Sequence, residues 1–250
     1  QMVLGALYPE LDYAGGLEGG YDDPEYQVPE LMVLWGKMPL ASNPDGFFGH
    51  AVIDLMKRGA KLVTIDPRVN WLATRSVVQL RLRNGTDAAL AMAMCNILIK
   101  EDLYDHDFIE RWCYGFDEFA ERVAYMTPEK AAEICEVPVD DIYRVARMYA
   151  AAKPASIAWG LAFDQNTNGM QAGQCVLAMI CMTGNLDVPG GNIVADLSMP
   201  EDLTGDAAAG QSAHNTDTRS FITEGWYQMT DEERAECIGM DKYPLYCNQI

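Results

Sequence analysis

Four short segments carry residues that suit an anionic, nucleotide-like ligand. Three follow predicted strands directly: Trp35-Gly36-Lys37-Met38-Pro39, Asp66-Pro67-Arg68, and Trp159-Gly160 continuing through Leu161 to Gln165. The fourth, Asn84-Gly85-Thr86-Asp87, is a glycine-containing turn that leads into a predicted helix. Glycine lets the backbone approach a ligand, and the free amides at a helix start favour phosphate. Any one segment has an ordinary structural explanation, but four at the ends of one sheet favour a nucleotide-like ligand.

The acids in these segments indicate which part of a nucleotide would be bound. Asp66 could accept two hydrogen bonds, either from a ribose diol or from the N–H edge of a guanine. Taken singly, Asp66 also suits an Asp-Pro turn, Asp87 a helix cap and Trp35 a core position. The sequence lacks a G-x-G-x-x-G fingerprint after its first predicted strand, a Walker lysine loop and a G-x-S-x-G nucleophile elbow. It therefore predicts a binding domain without a complete catalytic centre.

The cysteines and histidines do not show the spacing of a metal site. The closest two of the seven cysteines are six positions apart, so the C-x-x-C spacing of zinc and iron–sulfur sites is missing. The three histidines are far apart in the sequence. Cys95, Cys175 and Cys181 fall within apolar helical patterns, and we expect them to be buried free thiols.

The net charge of −19 argues against nucleic acid and against a basic attachment to anionic membranes. The charge is uneven, however. Residues 1–30 contain seven acids and no base, residues 31–87 contain eight bases and four acids, and the residues after 195 contain eleven acids and three bases. The basic stretch is where an anionic ligand would be favoured. The best apolar run, residues 88–99, is too short to span a bilayer.

Strand and helix patterns alternate through the middle of the chain. Apolar runs predict buried strands at 31–35, 61–65 and 156–159, and a weaker alternation predicts another at 77–82. Helical spacing predicts helices at 48–56, 87–99, 105–112, 117–125, 139–152 and 169–183, and one beginning at Pro128. Thr86 or Asp87 is expected to cap the helix at 87, and Thr127 the helix at 128. This order predicts an α/β fold with a parallel, Rossmann-like doubly wound sheet and helices on both faces.

Seven segments, in order, resemble the molybdopterin oxidoreductases of the dimethyl sulfoxide reductase family. They are LMVLWGKMP, KRGAKLVTIDPR, LRLRNGTDAALAMAM, EDLYDHDFIERWCYGFDEFAERV, TPEKAAEICEVP, ARMYAAAKPASIAWG and MTGNLDVPGGN. That family includes formate dehydrogenases, nitrate reductases and the tungsten-containing acetylene hydratase. The resemblance covers residues 31–194. The run FDQNTNGMQAG followed by TGNLDVPGGN is most similar to the branch that contains acetylene hydratase and enzymes of hydroxylated aromatics.

The chain is expected to have three regions. Composition predicts an acidic connector at residues 1–30 and an extended acidic tail or the start of a further domain at residues 195–250. The resemblance implies that residues 31–194 are the α/β domain that binds molybdopterin guanine dinucleotide. The cofactor implied in the full-length parent is a bis(molybdopterin guanine dinucleotide) with molybdenum or tungsten. Since the chain begins at Gln1 rather than at Met, we expect it to be a piece of that longer protein.

Family analogy also assigns cofactor contacts. The loop from Trp35 to Ser42 would contact the pyrophosphate or the pterin, although the family usually has Asn where this sequence has Met38, so a backbone contact is expected there. The remaining contacts would be Ile65, Asp66, Pro67 and Arg68, the turn Gly85-Thr86-Asp87, and the segment Trp159, Gly160, Leu161 and Gln165. A guanosine would lie between the turn that begins at Ile65 and the turn Gly85-Thr86-Asp87. Asp66 or Asp87 would recognise the base.

Several parts of such an enzyme lie outside the matching segments. They are the cysteine cluster of a [4Fe–4S] centre, the residue that ligates the metal, and a C-terminal domain that completes the cofactor cleft. We therefore expect this chain alone to bind weakly or not at all and to be inactive. The expected partners are the remaining domains of the parent catalytic subunit and an iron–sulfur electron-transfer subunit, without nucleic acid or direct membrane insertion. Because many relatives carry twin-arginine signals, we expect an exported rather than a cytoplasmic parent.

Two other functions remain open from the sequence. A dehydrogenase that binds an NAD-type dinucleotide would use Asp66 for the adenosine ribose, although the glycine fingerprint is missing. A non-catalytic, acidic docking module would use its surface for assembly. A common location of Trp35, Asp66, Asp87 and Gln165 would argue against the docking module.

Overall fold

A computed structural model describes residues 10–11, 27–42 and 47–193. The strands are β1 (Glu10–Leu11), β2 (Leu31–Trp35), β3 (Lys61–Ile65), β4 (Val78–Leu80), β5 (Ala155–Trp159) and β6 (Asn192–Ile193). The helices are α1 (Pro39–Ser42), α2 (Phe47–Lys57), α3 (Asp87–Lys100), α4 (His106–Trp112), α5 (Phe116–Val123), α6 (Pro128–Cys135), α7 (Val139–Ala151), α8 (Leu161–Asp164) and α9 (Gly169–Met182). The predicted connector at 1–30 lies largely, and the tail at 195–250 wholly, outside the described residues.

Four parallel strands form the central sheet in the order β4-β3-β2-β5. Trp35 lies opposite Ile65 on one side and Trp159 on the other, and Ile65 lies opposite Leu80. The carboxyl ends of all four strands therefore meet at one edge of the sheet, where open α/β sheets bind their ligands. The predicted α/β fold with a parallel sheet is confirmed.

Helices cover both faces of this sheet. Because successive side chains of a strand point to opposite faces, Met32 and Leu34 lie on one face, where they pack against Val52 and Leu55 of α2. On the other face, α7 packs against β4 and α9 against β5, and α3 packs on both helices. All residues of β2 and β5 are buried, which explains why both strands read as continuous apolar runs.

The backbone groups on the outer edge of β5 hydrogen-bond to two asparagine side chains instead of to another long strand. The backbone N–H of Ile157 donates to Asn192 Oδ1 (2.8 Å), and Asn192 Nδ2 donates to the carbonyl of Ile157 (2.8 Å). The Ala155 N–H donates to Asn185 Oδ1 (3.0 Å). These amides satisfy buried polar groups that an edge strand otherwise exposes.

The structure corrects several local predictions. The strand predicted at 77–82 is shorter, and α1, α8 and the 3-10 turn Ala73–Arg75 were not predicted, because single turns show no periodicity. Thr127 caps α6 by accepting from the Lys130 N–H, as predicted. Thr86 does not cap α3 in this way, since its hydroxyl donates backwards to the carbonyl of Arg83 (2.6 Å).

The described cysteines are free thiols, as expected, but they differ in burial. Cys95 and Cys175 are buried, whereas Cys181 is only half-buried. Within the described ranges, no helix has both the length and the apolar character to cross a bilayer.

Candidate functional site

The segments that follow β2, β3 and β5 lie side by side, and the turn before α3 is joined to them through Trp35. We call residues 36–42, 66–68, 84–87 and 160–165 together the tip edge. Three hydrogen bonds extend the sheet pattern by one residue: Gly36 N–H to the Ile65 carbonyl (2.8 Å), Gly160 N–H to the Trp35 carbonyl (3.2 Å), and Asp66 N–H to the Leu80 carbonyl (3.1 Å). The sheet itself therefore brings together the segments that the sequence singled out.

Two glycines allow the backbones after β2 and β5 to cross at close range. Gly36 has a φ of +58°, in the left-handed region that disfavours side chains. A Cβ atom placed on Gly160 would lie 2.6 Å from the carbonyl oxygen of Gly36, closer than real side chains approach. A side chain at Gly160 would therefore require the backbone to move, and the crossing leaves main-chain atoms at the tip edge.

The two tryptophans at the strand ends belong to the core. Trp35 is 0% exposed and Trp159 is 1% exposed. Phe163 of α8 packs edge-on against Trp35, with ring centroids 5.3 Å apart, and also contacts Trp159 at 5.9 Å. The rings therefore form a floor beneath the tip edge rather than a surface that a ligand meets.

Asp66 is buried and bonded to Arg68. The carboxylate, in a residue only 3% exposed, accepts from the Arg68 backbone N–H (2.8 Å), from Arg68 Nε (3.1 Å) and from an Arg68 terminal nitrogen (2.9 Å). Gln79 Nε2 donates to the carbonyls of Asp66 and Arg68 and ties the turn to β4. The hydrogen bonds and charge of Asp66 raise the pKa of the Arg68 guanidinium.

The turn before α3 carries the second buried acid. Gly85 adopts a φ of +80°, and the Asn166 side chain would lie 3.5 Å from a Cβ placed there. Asp87 accepts a hydrogen bond of 2.8 Å from Trp35 Nε1. Burial raises the pKa of the Asp87 carboxyl, and the hydrogen bond from Trp35 partly opposes that rise.

The other predicted contacts differ in how they face solvent. The Ser42 hydroxyl donates to the Met38 carbonyl, Pro39 is buried, and the Met38 side chain packs against the apolar cluster under α2. Leu161 is 71% exposed and Gln165 is also exposed, so both are accessible to a ligand. Ile65 and Thr86 are buried, and Pro67 is exposed.

The residues of the tip edge fit a phosphate-bearing ligand. Arg68 and Arg81 expose their side chains there, Lys37 is half-buried over the Phe48 ring, and the glycine crossing leaves the backbone open to close approach. A carboxylate offers about four acceptor positions, of which Asp66 uses three. Asp87 accepts from Trp35 Nε1 and from a backbone N–H, so acceptor positions remain on both acids. These residues therefore fit a dinucleotide with an anionic pyrophosphate and a base rich in N–H groups.

The structure also contains a groove that borders the tip edge at Ala88 and Ala89. This groove of about 760 Å³ lies between α3, α5 and α9, lined by Met92, Phe116, Phe119, Leu177 and Cys181 among others. None of the predicted contact residues lines it. Among the residues with described positions, no three His, Cys, Asp or Glu side chains lie close enough to hold a metal ion.

Sequence reasoning missed three residues that shape the tip edge. Phe163 fixes both tryptophans, Gln79 holds the Asp66 turn, and Asn166 packs on Gly85. Gln79 could have been found, because a polar residue in a buried strand next to the predicted site needs a partner. Phe163 and Asn166 could not, since their contacts depend on a single-turn helix.

Comparisons with known proteins bear on the family of the chain. Residues 29–228 match the model of the molybdopterin oxidoreductase family. The chain is 43% identical to acetylene hydratase of Syntrophotalea acetylenica over 127 residues, which cover 50% of this chain and 17% of that protein. It is 34% identical to formate dehydrogenase H of Escherichia coli over 165 residues, which cover 66% of this chain and 23% of that protein.

A solved structure shows the same relationship. Acetylene hydratase from Pelobacter acetylenicus matches with a TM-score of 0.65 and 32% identity, over 77% of this chain and 24% of that one. The chain thus spans about a quarter or less of the length of these relatives. Since the family model matches most of the sequence, the chain belongs to the molybdopterin oxidoreductase family.

Proposed function

We propose that this chain is the part of a molybdenum- or tungsten-dependent catalytic subunit that binds one guanosine end of a bis(molybdopterin guanine dinucleotide). The observation that carries the proposal is the alignment of Trp35, Ile65, Leu80 and Trp159 at one edge of a parallel sheet. In open α/β sheets this edge is where dinucleotides bind. Family membership supports the molybdopterin cofactor and does not favour the NAD-type or docking-module alternatives.

The tip-edge residues have distinct roles in this proposal. The backbone at Gly36 and Gly160 and the cations Lys37 and Arg68 would hold the pyrophosphate. Asp66 and Asp87 would receive the N–H edge of guanine. When bound, the cofactor's metal supplies redox or hydration chemistry, and the protein orients the cofactor.

The proposed branch and further components of the parent enzyme are taken from its relatives. Acetylene hydratase is matched both in sequence and in structure, and we place the parent enzyme in its branch of the family. A [4Fe–4S] centre, an electron-transfer partner subunit and export from the cytoplasm belong to the same proposal. They rest on family resemblance.

The test uses the intact catalytic subunit that contains this chain. Purified enzyme should contain molybdenum or tungsten, and acid release should give two guanosine nucleotides per metal atom. Gly160→Val places a side chain against the Gly36 carbonyl and should lower the guanosine content, whereas Tyr114→Ala, in the groove, should not. Release of an adenosine nucleotide, or equal guanosine content in wild type and Gly160→Val, would contradict the proposal.

A further inference from the structure

Two of the predicted contact residues are bonded to each other. Trp35 Nε1 donates a 2.8 Å hydrogen bond to Asp87 Oδ1 across 52 positions of sequence. Trp35 ends β2 and is completely buried, whereas Asp87 opens α3 and keeps 9% exposure. The bond thus joins the floor of the tip edge to an acid that can still meet a ligand.

The indole is held in one orientation. Phe163 packs against its face edge-on, at an interplanar angle of 86°. The Trp35 carbonyl accepts from the Gly160 N–H, and the Trp35 backbone pairs with both neighbouring strands. Because packing already fixes this donor, it can orient its acceptor without a further loss of conformational entropy when a ligand binds.

The turn that carries Asp87 is fixed from α6 as well. The Arg83 N–H donates to the Cys135 carbonyl (2.8 Å), and the Cys135 thiol lies 3.5 Å from the Thr86 carbonyl. The titratable groups facing this turn are Cys135 and Glu136 at the end of α6, with Arg83 in the turn itself, paired to Glu136 at 3.7 Å. Phe163 of α8 and Asn166, which follows α8, do not titrate. The side-chain hydrogen bond that the structure gives to Asp87 comes from Trp35.

We infer that Trp35 is a positioning residue of the guanosine site, whose buried indole N–H fixes one oxygen of the Asp87 carboxylate and leaves the other to accept from a guanine. This inference rests on the proposed function, because it takes guanosine as the ligand. Trp35 itself does not touch the ligand. Its role is to hold the acid in place and to favour the ionised form against the effect of burial.

The hydrogen bond from Trp35 affects the pH at which Asp87 is protonated. An ionised carboxylate accepts two N–H groups, whereas a protonated one presents a donor to the ligand. Burial raises the pKa of Asp87, and the Trp35 hydrogen bond lowers it. Removal of the indole N–H should therefore raise the pKa further, so that Asp87 loses its charge at a higher pH.

The first test needs no ligand. A ¹³C NMR titration follows the Asp87 carboxyl carbon, assigned with Asp87→Asn. Trp35→Phe, which keeps an aromatic ring in the core, should shift the midpoint to higher pH. Trp159→Phe removes the other buried indole of the same cluster and should leave the midpoint unchanged. An unchanged midpoint in Trp35→Phe would overturn the inference.

A second measurement covers the case in which Trp35→Phe does not fold. In the wild-type chain, the indole N–H resonance of Trp35 should shift with pH at the midpoint of Asp87. In Asp87→Asn this shift should disappear. An indole resonance that does not follow the Asp87 titration would also overturn the inference.

Guanosine diphosphate then links the pair to the proposed function. Wild-type affinity should fall as pH drops through the Asp87 midpoint, and Asp87→Asn should lower the affinity about tenfold at neutral pH, as expected for a lost charged hydrogen bond. In Trp35→Phe, the affinity for guanosine diphosphate should begin to fall at a higher pH than in the wild type. Because the isolated chain is expected to bind weakly or not at all, this affinity is measured on the intact catalytic subunit freed of its cofactor, where absence of guanosine diphosphate binding would contradict the proposed function. The ligand-free titrations still decide the role of Trp35.

Discussion

At the scale of single residues, the predicted site side chains bond to one another rather than standing open. Asp66 is neutralised by Arg68, and Asp87 is bonded to Trp35. Burying an acid without such partners would cost several kcal/mol, so each partner is a condition for placing an acid at the floor of the site. The same two acids remain only partly saturated, which lets them serve structure and ligand together.

Arg68→Ala should destabilise the chain by about 1–3 kcal/mol. The Asp66 carboxylate would keep the backbone N–H of residue 68 but lose both guanidinium hydrogen bonds while remaining buried. Urea unfolding measures the loss. Arg144→Ala, at an exposed position on α7, serves as the control and should change stability by less than about 0.5 kcal/mol. Equal stability of Arg68→Ala and wild type would show that the ion pair does not support the buried acid.

Sequence reasoning at this scale identified residues but not their partners. The segments at 35–39, 66–68 and 159–160 were located because strand ends are marked by Gly and Pro in the sequence. The bond between Trp35 and Asp87 could not be foreseen, because it joins positions 52 residues apart whose orientation depends on how α3 packs. Similarly, the hydroxyl of Thr86 turned towards Arg83 although its position predicted a cap.

At the scale of elements, β5 depends on side chains for its outer hydrogen bonds. Asn192 presents an acceptor and a donor to Ile157, as a neighbouring strand would. Gly160 directly follows β5. The two asparagines that hydrogen-bond to the outer edge of β5 therefore also keep Gly160 in register with Gly36. The segment MTGNLDVPGGN therefore has a structural role that its sequence pattern alone did not reveal.

Asn192→Asp should destabilise the chain by about 3 kcal/mol or more near pH 7, because a buried carboxylate would face the Ile157 carbonyl without a proton to donate. The folded-state pKa of the new acid would lie above its unfolded value. Its penalty should therefore shrink as the pH falls, since the protonated form again donates to that carbonyl.

Urea unfolding at about pH 7 and about pH 4.5 checks this prediction. The matched control is Asn84→Asp, which makes the same chemical change at an exposed position. A stability difference between Asn192→Asp and wild type that stays constant or grows towards low pH would contradict the proposed role of the Asn192 hydrogen bonds to Ile157.

Strand and helix order was predictable at this scale, and short elements were not. The runs at Leu31–Trp35 and Lys61–Ile65 are wholly or largely buried, and burial on both faces is what makes a strand uniformly apolar. In contrast, α1 and α8 contain one turn each, and their positions follow from tertiary contacts such as that between Phe163 and Trp35.

At the scale of the whole molecule, buried neutral acids limit stability at high pH. Burial raises the pKa of Cys95, Cys135 and Tyr149, and raises that of Cys181 to about 11. The unfolded chain would lose these protons at lower pH than the folded chain, so folding stability should fall as the pH rises from about 8 to about 11. Lys153, whose pKa burial lowers, acts in the opposite direction.

Thermal unfolding under reducing conditions should show this decline. Cys181→Ser removes one of the titrating thiols and should make the decline shallower. Cys113→Ser, also in the groove, is the comparison, with a smaller expected effect because that thiol is less deeply buried. If Cys181→Ser and wild type lose stability equally between about pH 8 and about pH 11, the assignment of the alkaline decline to Cys181 is wrong.

The most direct measurement of the central claim is a map of where a guanosine nucleotide touches this chain. Guanosine diphosphate is titrated into the ¹⁵N-labelled protein, with adenosine diphosphate as the comparison. We expect weak, guanosine-selective binding whose shifted amides are those of Gly36, Asp66, Gly85, Asp87 and Gly160. Shifts confined to the groove between α3, α5 and α9, or equal shifts with the adenosine nucleotide, would contradict this expectation.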